Sequence, residues 1–233
     1  MRPYTNTYQK TMIPVHGKPL LAYIIEGLKY AGLNDFILVV GYRSEQIIDY
    51  FQDGSAMGIS IEYVEQQELN GTGGALLLCE DKIKEDHFFL TWGDILVPYK
   101  IYKEVMDTYH REKQDFILVT NYLEKLQKGC EIHCEGDYCT KMVEKPPKDK
   151  QASNLNNCGI FIFSKEIFKE LKELEPSKRG ELEIPDAISN GIEERNWRVR
   201  VIRMGKEDFR GDFGDKREYE RLNKETDWLS ELQ

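Results

Sequence analysis

Between Lys18 and Val64 the chain alternates between two hydrophobic periods, and this alternation leaves few folds open to it. Leu20, Leu21, Ile24, Ile25 and Leu28 recur at helical spacing, which predicts a helix over Lys18 to Gly32 with Gly32 as its stop. Asp35 to Val40 (DFILVV) is a continuous apolar run, as expected of a strand buried on both faces. Ser44 is placed to cap a short helix through Phe51, with Ile47, Ile48 and Phe51 inward, and Ile59 to Val64 reads as a second strand. Strand and helix in strict alternation predict an α/β fold: a mostly parallel sheet flanked by helices.

A chain of 233 residues, 40% hydrophobic and 11% aromatic, can bury a sizeable core. No apolar run approaches the length of a membrane span, and the N-terminus has no apolar signal region, so no membrane partner and a cytoplasmic location are expected. The net charge of -9 argues against nucleic acid as a partner. A polyanionic substrate would need local lysines, arginines or a metal to offset that field. The five cysteines are expected to be reduced thiols. Cys130, His133, Cys134 and Cys139 lie close enough to invite a zinc reading, but their spacing fits no common zinc pattern. Glu135-Gly136-Asp137 reads as a hairpin turn, which makes them strand residues that happen to be cysteine.

Several stretches carry chemistry. Met1 to Pro19 is polar and broken by Pro3, Pro14 and Pro19, and it sets Arg2, Lys10 and Lys18 along one short path. Cations on an ordered loop in an acidic chain suggest a held anion; a solvated basic N-terminus is the plainer reading. Glu65 to Ala75 (EQQELNGTGGA) opens a helix over Ala75 to Cys79, as a strand-loop-helix turn whose glycines admit close backbone approach to an anionic ligand. It can equally be a flexible turn with Thr72 as the cap. The strand His87 to Trp92 ends on Gly93-Asp94, where open α/β sheets bind ligands and where one carboxylate can hold Mg²⁺ that bridges phosphates.

Further along, Tyr99 to Glu112 reads as a helix and Asp115 to Thr120 as a strand. The hairpin Cys130 to Val143 leads into Glu144-Lys145-Pro146, and Pro146 to Leu155 is a polar connection. Asn156 to Phe163 is a strand with Asn157 at its start, after which Ser164 caps a helix to Leu174. Trp197 to Met204 alternates valine with arginine and is expected near the sheet edge, and Phe209 to Asp215 precedes a charged amphipathic helix to Leu229.

Taken in order, these pieces resemble the sugar-1-phosphate nucleotidylyltransferases. Met1-Arg2-Pro3-Tyr4-Thr5 resembles the end of that family's G-x-G-T-R-x-R-P-L-T loop, Gln9-Lys10 its P-K, and Pro14 to Pro19 its P-V-x-x-K-P. Gln66 with Gly71-Thr72 resembles Q-x-x-x-x-G-T-x-x-A, Gly93-Asp94 the family's G-D, and Glu144-Lys145-Pro146 its E-K-P. Asn157-Cys158-Gly159 resembles N-A-G, Arg179 to Asp186 resembles R-G-E-x-E-I-T-D, and Asp212 with Gly214 matches aromatic-x-D-x-G-T. The usual tryptophan there is missing, with Arg210 or Gly211 near its place, and Asp215 replaces the threonine.

The resemblance implies a single Rossmann-like domain over 1–233, of nucleotide-diphospho-sugar transferase type, lacking its first strand and most of its glycine loop. The expected start therefore lies about two dozen residues upstream, the length of one strand plus such a loop. Without that strand, two neighbours would be left with exposed ladders. No β-helix domain of the acetyltransferase kind is expected after it.

The implied reaction is Mg²⁺-dependent nucleotidyl transfer from a nucleoside triphosphate to a sugar 1-phosphate, giving an NDP-sugar and pyrophosphate. The resemblance makes Lys10, Asp94 and Asp212 catalytic, the two aspartates as metal ligands, with Lys10 on the triphosphate. It makes Arg2, Gln66, Gly71, Thr72, Glu144, Lys145, Asn157 and Gly159 substrate-binding: Gln66 and Gly71 toward the base, Lys145 on the sugar phosphate, Glu144 and Asn157 on the sugar. Glucose 1-phosphate with dTTP or UTP is the favoured pairing; mannose or heptose phosphate with GTP stays open. A homo-oligomer is also expected by resemblance. Two alternatives remain: a non-catalytic binding or regulatory subunit, or a cytidylyltransferase acting on a non-sugar phosphate.

Overall fold

The computed structural model describes residues 1–124, 129–147 and 151–232. In chain order its elements are β1 (Pro14–Val15), β2 (Lys18–Pro19), α1 (Leu20–Tyr30), β3 (Asp35–Val40), α2 (Ser44–Phe51), β4 (Ser60–Glu65), α3 (Gly71–Leu77), β5 (His87–Thr91), β6 (Ile95–Leu96) and α4 (Tyr99–Glu112). There follow β7 (Phe116–Tyr122), β8 (Cys130–Glu135), β9 (Tyr138–Glu144), β10 (Leu155–Ser164), α5 (Glu166–Glu173), α6 (Ile184–Arg195), β11 (Val199–Arg203), β12 (Gly211–Asp212), α7 (Lys216–Leu222) and α8 (Asp227–Glu231). Two compact units result, the first from Met1–Gln67, Trp92–Asp107 and Glu207–Gln233, the second from Glu68–Thr91 and Thr108–Lys206. Among the described residues no helix is long and apolar enough to cross a membrane.

In the first unit, β3 and β4 pair in parallel from Asp35↔Ser60 to Val40↔Glu65, joined by α2 as the crossover that parallel strands require. The five apolar positions predicted on α1 are all buried. Gly32 ends the helix as expected: at φ +92° its N–H donates to Lys29 O (2.9 Å) and the next N–H, of Leu33, to Leu28 O (3.1 Å), a Schellman closure. Ile47 and Phe51 of α2 join Met12, Leu21, Ile25, Val40 and Ile61 in the core. Ile48 does not, and stays exposed, because the i, i+4 pair Ile47–Phe51 already defines the inward face. Strand β3 also departs from expectation. Asp35 and Val39 are exposed and Phe36 to Leu38 only half-buried. Among the described residues β3 has a paired neighbour on one side alone, so its faces are not covered as those of a central strand would be.

The charged helix expected after Asp215 is two helices, α7 and α8. Asp215 caps α7, accepting from the N–H groups of Arg217 (2.8 Å) and Glu218 (3.4 Å). The break is held by side chains: the indole N–H of Trp228 donates to Leu222 O and Glu225 O at 2.8 and 2.9 Å, and His16 Nε2 meets the same two carbonyls at 2.9 Å each.

The second unit is a six-stranded sheet in the order β5-β10-β7-β11-β9-β8. The α/β class holds, but the sheet is mixed: within it only β7 and β11 pair in parallel. The reason lies in the connections. The β8–β9 hairpin turns on Gly136-Asp137, so these two strands return antiparallel rather than cross over, and β10 lies antiparallel between β5 and β7. Strand β11 is internal, not at an edge as its arginines suggested. Val199 and Val201 face the core, while Arg200 and Arg203 reach outward to Glu112 (3.0 Å) and Asp137 (2.9 Å). Strand β5 pairs on one side only among the described residues, as β3 does. Part of the polar connection Pro146 to Leu155, residues 148–150, lies outside the described residues.

Helix α3 begins at Gly71, not at Ala75, so the glycines belong to its first turn. Their need is a close backbone approach within the unit: Gly73 N–H donates to Leu182 O (2.8 Å) and Leu182 N–H to Asn70 O (2.8 Å). A Cβ on Gly71, whose φ is +97°, would stand 2.4 Å from Leu182 O. Gly71→Ala combines a left-handed penalty with a backbone clash and should destabilise the protein by about 2–4 kcal/mol, read as a fall in the denaturant midpoint at unchanged slope. A variant as stable as the parent would show that α3 and the Leu182 segment do not pack this closely.

Candidate active site

Lys10 opens a 3-10 turn, Lys10–Met12, capped by Gln9, whose side-chain oxygen accepts from Thr11 N–H (2.5 Å) and Thr11 Oγ1–H (2.8 Å). From there Lys10 Nζ forms an ion pair with Asp94 Oδ2. Asp94 immediately precedes β6, which pairs with β12 as Ile95↔Asp212 and Leu96↔Gly211. Phe213 N–H donates to Asp94 O at 3.0 Å, so the ladder sets the two candidate metal ligands side by side on adjacent segments of backbone. Asp212 Oδ1 accepts from Gly214 N–H (2.9 Å), and Asp212 Oδ2 lies 3.4 Å from Arg210 Nη2. A Cβ on Gly214 would crowd Asp212 Oδ1 at 2.9 Å and stand 3.5 Å from Lys10 Nζ, so the glycine keeps this corner open.

The three cations of the N-terminal stretch do not act together. Lys18 is committed to Glu26 (2.6 Å) and lies 3.7 Å above the Tyr23 ring. Arg2 is exposed and has no ion-pair partner among the described residues. Lys10 alone of the three pairs with Asp94. Gln66, directly after β4, is half-buried, and its N–H donates to Val40 O at 2.8 Å.

In the second unit, Thr72 Oγ1 accepts from Ile184 N–H (3.1 Å), so its hydroxyl meets the first turn of α6 rather than capping its own helix. Asn157 lies inside β10, where the register slips between Asn157 and Phe161. Its Oδ1 accepts from Gly159 N–H (2.9 Å), Gly159 has φ +67°, and the Nδ2 of Asn157 is buried without a partner. Glu144 ends β9. Its Oε1 is 3.7 Å from Lys145 Nζ and 3.8 Å from Arg179 Nη2. Arg179 also meets Glu181 at 3.3 Å and pairs with the buried Glu183, which ties the Arg179 to Asp186 segment to Glu144. Burial pushes the Glu183 carboxyl above its usual range, the Glu181 side chain adds to this, and Arg179 pulls the other way. Burial likewise raises Asp186, again opposed by Arg179.

The cysteines lie on the hairpin as read: Cys130 and Cys134 on β8, Cys139 on β9. Burial pushes the Cys139 thiol up to about 12 and Cys130 well above its usual value, away from the thiolate a metal needs. Among the described residues no group of three or more His, Cys, Asp or Glu side chains gathers to hold a metal. Two features had no signal strong enough to find in advance. Arg210 beside Asp212 was noted only as a departure from an expected tryptophan. Arg43 and Gln46, which contact the loop bearing Lys10, sit at the start of a helix whose sequence shows a cap and an apolar face and no sign of that loop.

A family profile described as nucleotidyl transferase matches residues 1–227. The low-salt glycan biosynthesis nucleotidyltransferase Agl11 of Haloferax volcanii is 33% identical over 199 residues, covering 83% of this chain and 54% of that protein. A glucose-1-phosphate thymidylyltransferase of Streptomyces griseus is 31% identical over 227 residues, covering 97% of this chain and 63% of that protein. The chain thus spans roughly half to two thirds of the length of these curated relatives. Among solved structures, a UDP-glucose pyrophosphorylase complexed with UDP-glucose matches with a TM-score of 0.84 at 25% identity, over 96% of this chain and 92% of that one.

The raised Glu183 carboxyl has a signed consequence. The folded protein holds this proton more tightly than the unfolded chain does, so just above the ordinary value of 4.5 it binds more protons, and stability from this group falls as pH rises. Glu183→Gln removes that slope. Between about pH 4 and about pH 7 the parent's Tm should drop relative to the variant's, whatever constant offset the lost Arg179 pair introduces. Parallel Tm curves would show that Glu183 does not hold its proton in the fold.

Proposed function

Because the chain belongs to the nucleotidyl transferase family, whose profile it matches over residues 1–227, we propose that it transfers a nucleotidyl group from a nucleoside triphosphate to a sugar 1-phosphate. The carrying observation is the convergence of Lys10, Asp94, Asp212 and the side-chain-free Gly214 within one unit. An oxygen of the sugar phosphate attacks the α-phosphorus, the bond from that phosphorus to the bridging oxygen breaks, and pyrophosphate leaves with the electron pair. The reaction asks for cations and oriented donors, and for no protein nucleophile.

The donor set suits a hard divalent cation. Two carboxylates from adjacent backbone segments leave most positions to phosphate and water, which is how Mg²⁺ is usually held. Mg²⁺ held by Asp94 and Asp212 would offset the charge that gathers where two phosphates meet. In this reading Lys10 leaves Asp94 for the triphosphate, with Arg2 a further cation toward it, and Gln66, Gly71 and Thr72 serve the nucleotide. Lys145, with only a loose partner at 3.7 Å, takes the sugar phosphate. Glu144, Asn157 and Gly159 orient the sugar, and the unpartnered Asn157 Nδ2 is a buried donor suited to a hydroxyl. The relatives' names support glucose 1-phosphate with dTTP or UTP as the first pairs to try.

Pyrophosphate release is the direct assay. With glucose 1-phosphate and dTTP or UTP, turnover should require a divalent cation. Asp94→Asn and Asp212→Asn should each lower kcat/KM by about 100-fold or more, and Lys10→Ala by a similar factor, since each removes a preorganised charge. No Mg²⁺-dependent pyrophosphate release with any nucleoside triphosphate and sugar 1-phosphate pair would overturn the proposal in favour of a binding role.

A further inference from the structure

The stretch that delivers Lys10 has little to hold it. None of residues 1–11 is buried; the first buried side chain is that of Met12. Tyr4 fixes the beginning through Glu220 (3.0 Å) and an edge contact with the Tyr219 ring. Past Tyr4 the contacts come from the first turn of α2. Arg43 Nη1 donates to Thr7 O (2.5 Å) and Nη2 to Asn6 O (2.7 Å). Gln46 Nε2 donates to the same Thr7 O (2.8 Å), while its Oε1 accepts from Gln9 N–H (2.6 Å). Arg43 is itself held: its φ is +54°, its Nε donates to Tyr42 Oη at 2.9 Å, and Ser44 N–H closes the turn on Gly41 O at 3.0 Å. One residue past Gln46, Ile47 is locked in the core, so both polar side chains project from a fixed base.

We propose that Arg43 and Gln46 are positioning residues of the triphosphate site: they set the backbone of Asn6 to Gln9, and through the Gln9 cap they hold Lys10 against Asp94. Neither touches the substrate. The inference rests on the reading of Lys10 given above. The chemistry of the two residues fits the task. Arginine's planar fork bridges two successive carbonyls, which a lysine ammonium cannot do in the same geometry. The primary amide of glutamine serves a carbonyl and an N–H at once. A misplacement of the lysine by about 1 Å would be enough to cost up to about 100-fold.

The test uses the full chain and two kinds of readout. The first is binding of inorganic tripolyphosphate with Mg²⁺ by calorimetry, a probe that needs no choice of base. Arg43→Ala and Gln46→Ala should each weaken it about tenfold, Arg43→Lys should recover part of the loss, and adding Arg43→Ala to Lys10→Ala should cost little more than Lys10→Ala alone. Gln46→Glu keeps the acceptor for Gln9 N–H but loses the donor to Thr7 O, and should fall between parent and Gln46→Ala. The second readout is amide exchange. The Gln9 amide should exchange faster in Gln46→Ala while the β3–β4 amides keep their protection, which separates loop release from global unfolding. In turnover, KM for the triphosphate should rise with that for the sugar phosphate unchanged within about twofold; a merely structural defect lowers the active fraction and leaves both KM values alone. Parent-like tripolyphosphate binding in the alanine variants, or full additivity with Lys10→Ala, would overturn the inference. A parent that binds tripolyphosphate but turns over no substrate pair would instead sink the enzymatic reading and leave the positioning one standing. A parent that does not bind tripolyphosphate at all would overturn both.

Discussion

A lysine proposed to meet phosphate has to be held still by something, and the segment bearing Lys10 has neither a strand partner nor an α-helix to hold it. Its carbonyls and amides must find donors and acceptors elsewhere. Arg43 and Gln46 supply them from α2, whose own position is set by Ile47 and Phe51 in the core. The order of dependence is therefore apolar core, helix, polar side chain, loop backbone, Lys10. Each step is short range, and the last links are hydrogen bonds on a partly exposed surface.

The glycines of the G-T-G-G turn have a physical account that is independent of a ligand. Gly71 and Gly73 let the Leu182 backbone pass at hydrogen-bonding distance, and Thr72 spends its hydroxyl on the amide that opens α6. Packing thus joins α3 to the start of α6, and Arg179, three residues before Leu182, joins that same segment to Glu144. A sequence motif that looks like a ligand cradle can be fixed in place by backbone against backbone.

Much of this was legible in the sequence because period and stop signals are local. The face and end of α1, the span of β3, the crossover helix α2, the hairpin turn and the helix over Tyr99–Glu112 followed from spacing alone. Pairing partners were not legible. Strand β10 pairs antiparallel with β5 and β7, which lie far from it in sequence, and the arginines of β11 pointed to an edge because their partners, Glu112 and Asp137, are distant in sequence as well. At the candidate site the sequence offers residue types and not their company. Lys18 and Lys10 look equivalent on one path, yet Glu26 and the Tyr23 ring, on the following helix, claim the first. Arg43 and Gln46 look like solvated helix positions until the loop they contact is known.

Electrostatics give the remaining logic. In an acidic chain, each candidate metal ligand is found with a cation beside it: Lys10 on Asp94, Arg210 on Asp212. The Lys10–Asp94 pair is partly exposed, with side-chain exposures of 35% and 29%, and pairs of that kind contribute about 0–1 kcal/mol. So small a term places Lys10 without trapping it. In the proposed reaction Lys10 would release the Asp94 carboxylate, which could then hold a divalent cation, and the ammonium would take a phosphate oxygen instead. The number of opposite-charge contacts is kept through the exchange, and the weak resting pair sets only a small barrier to it. A deeply buried pair at the same place would cost several kcal/mol to open and would oppose the step it is meant to prepare.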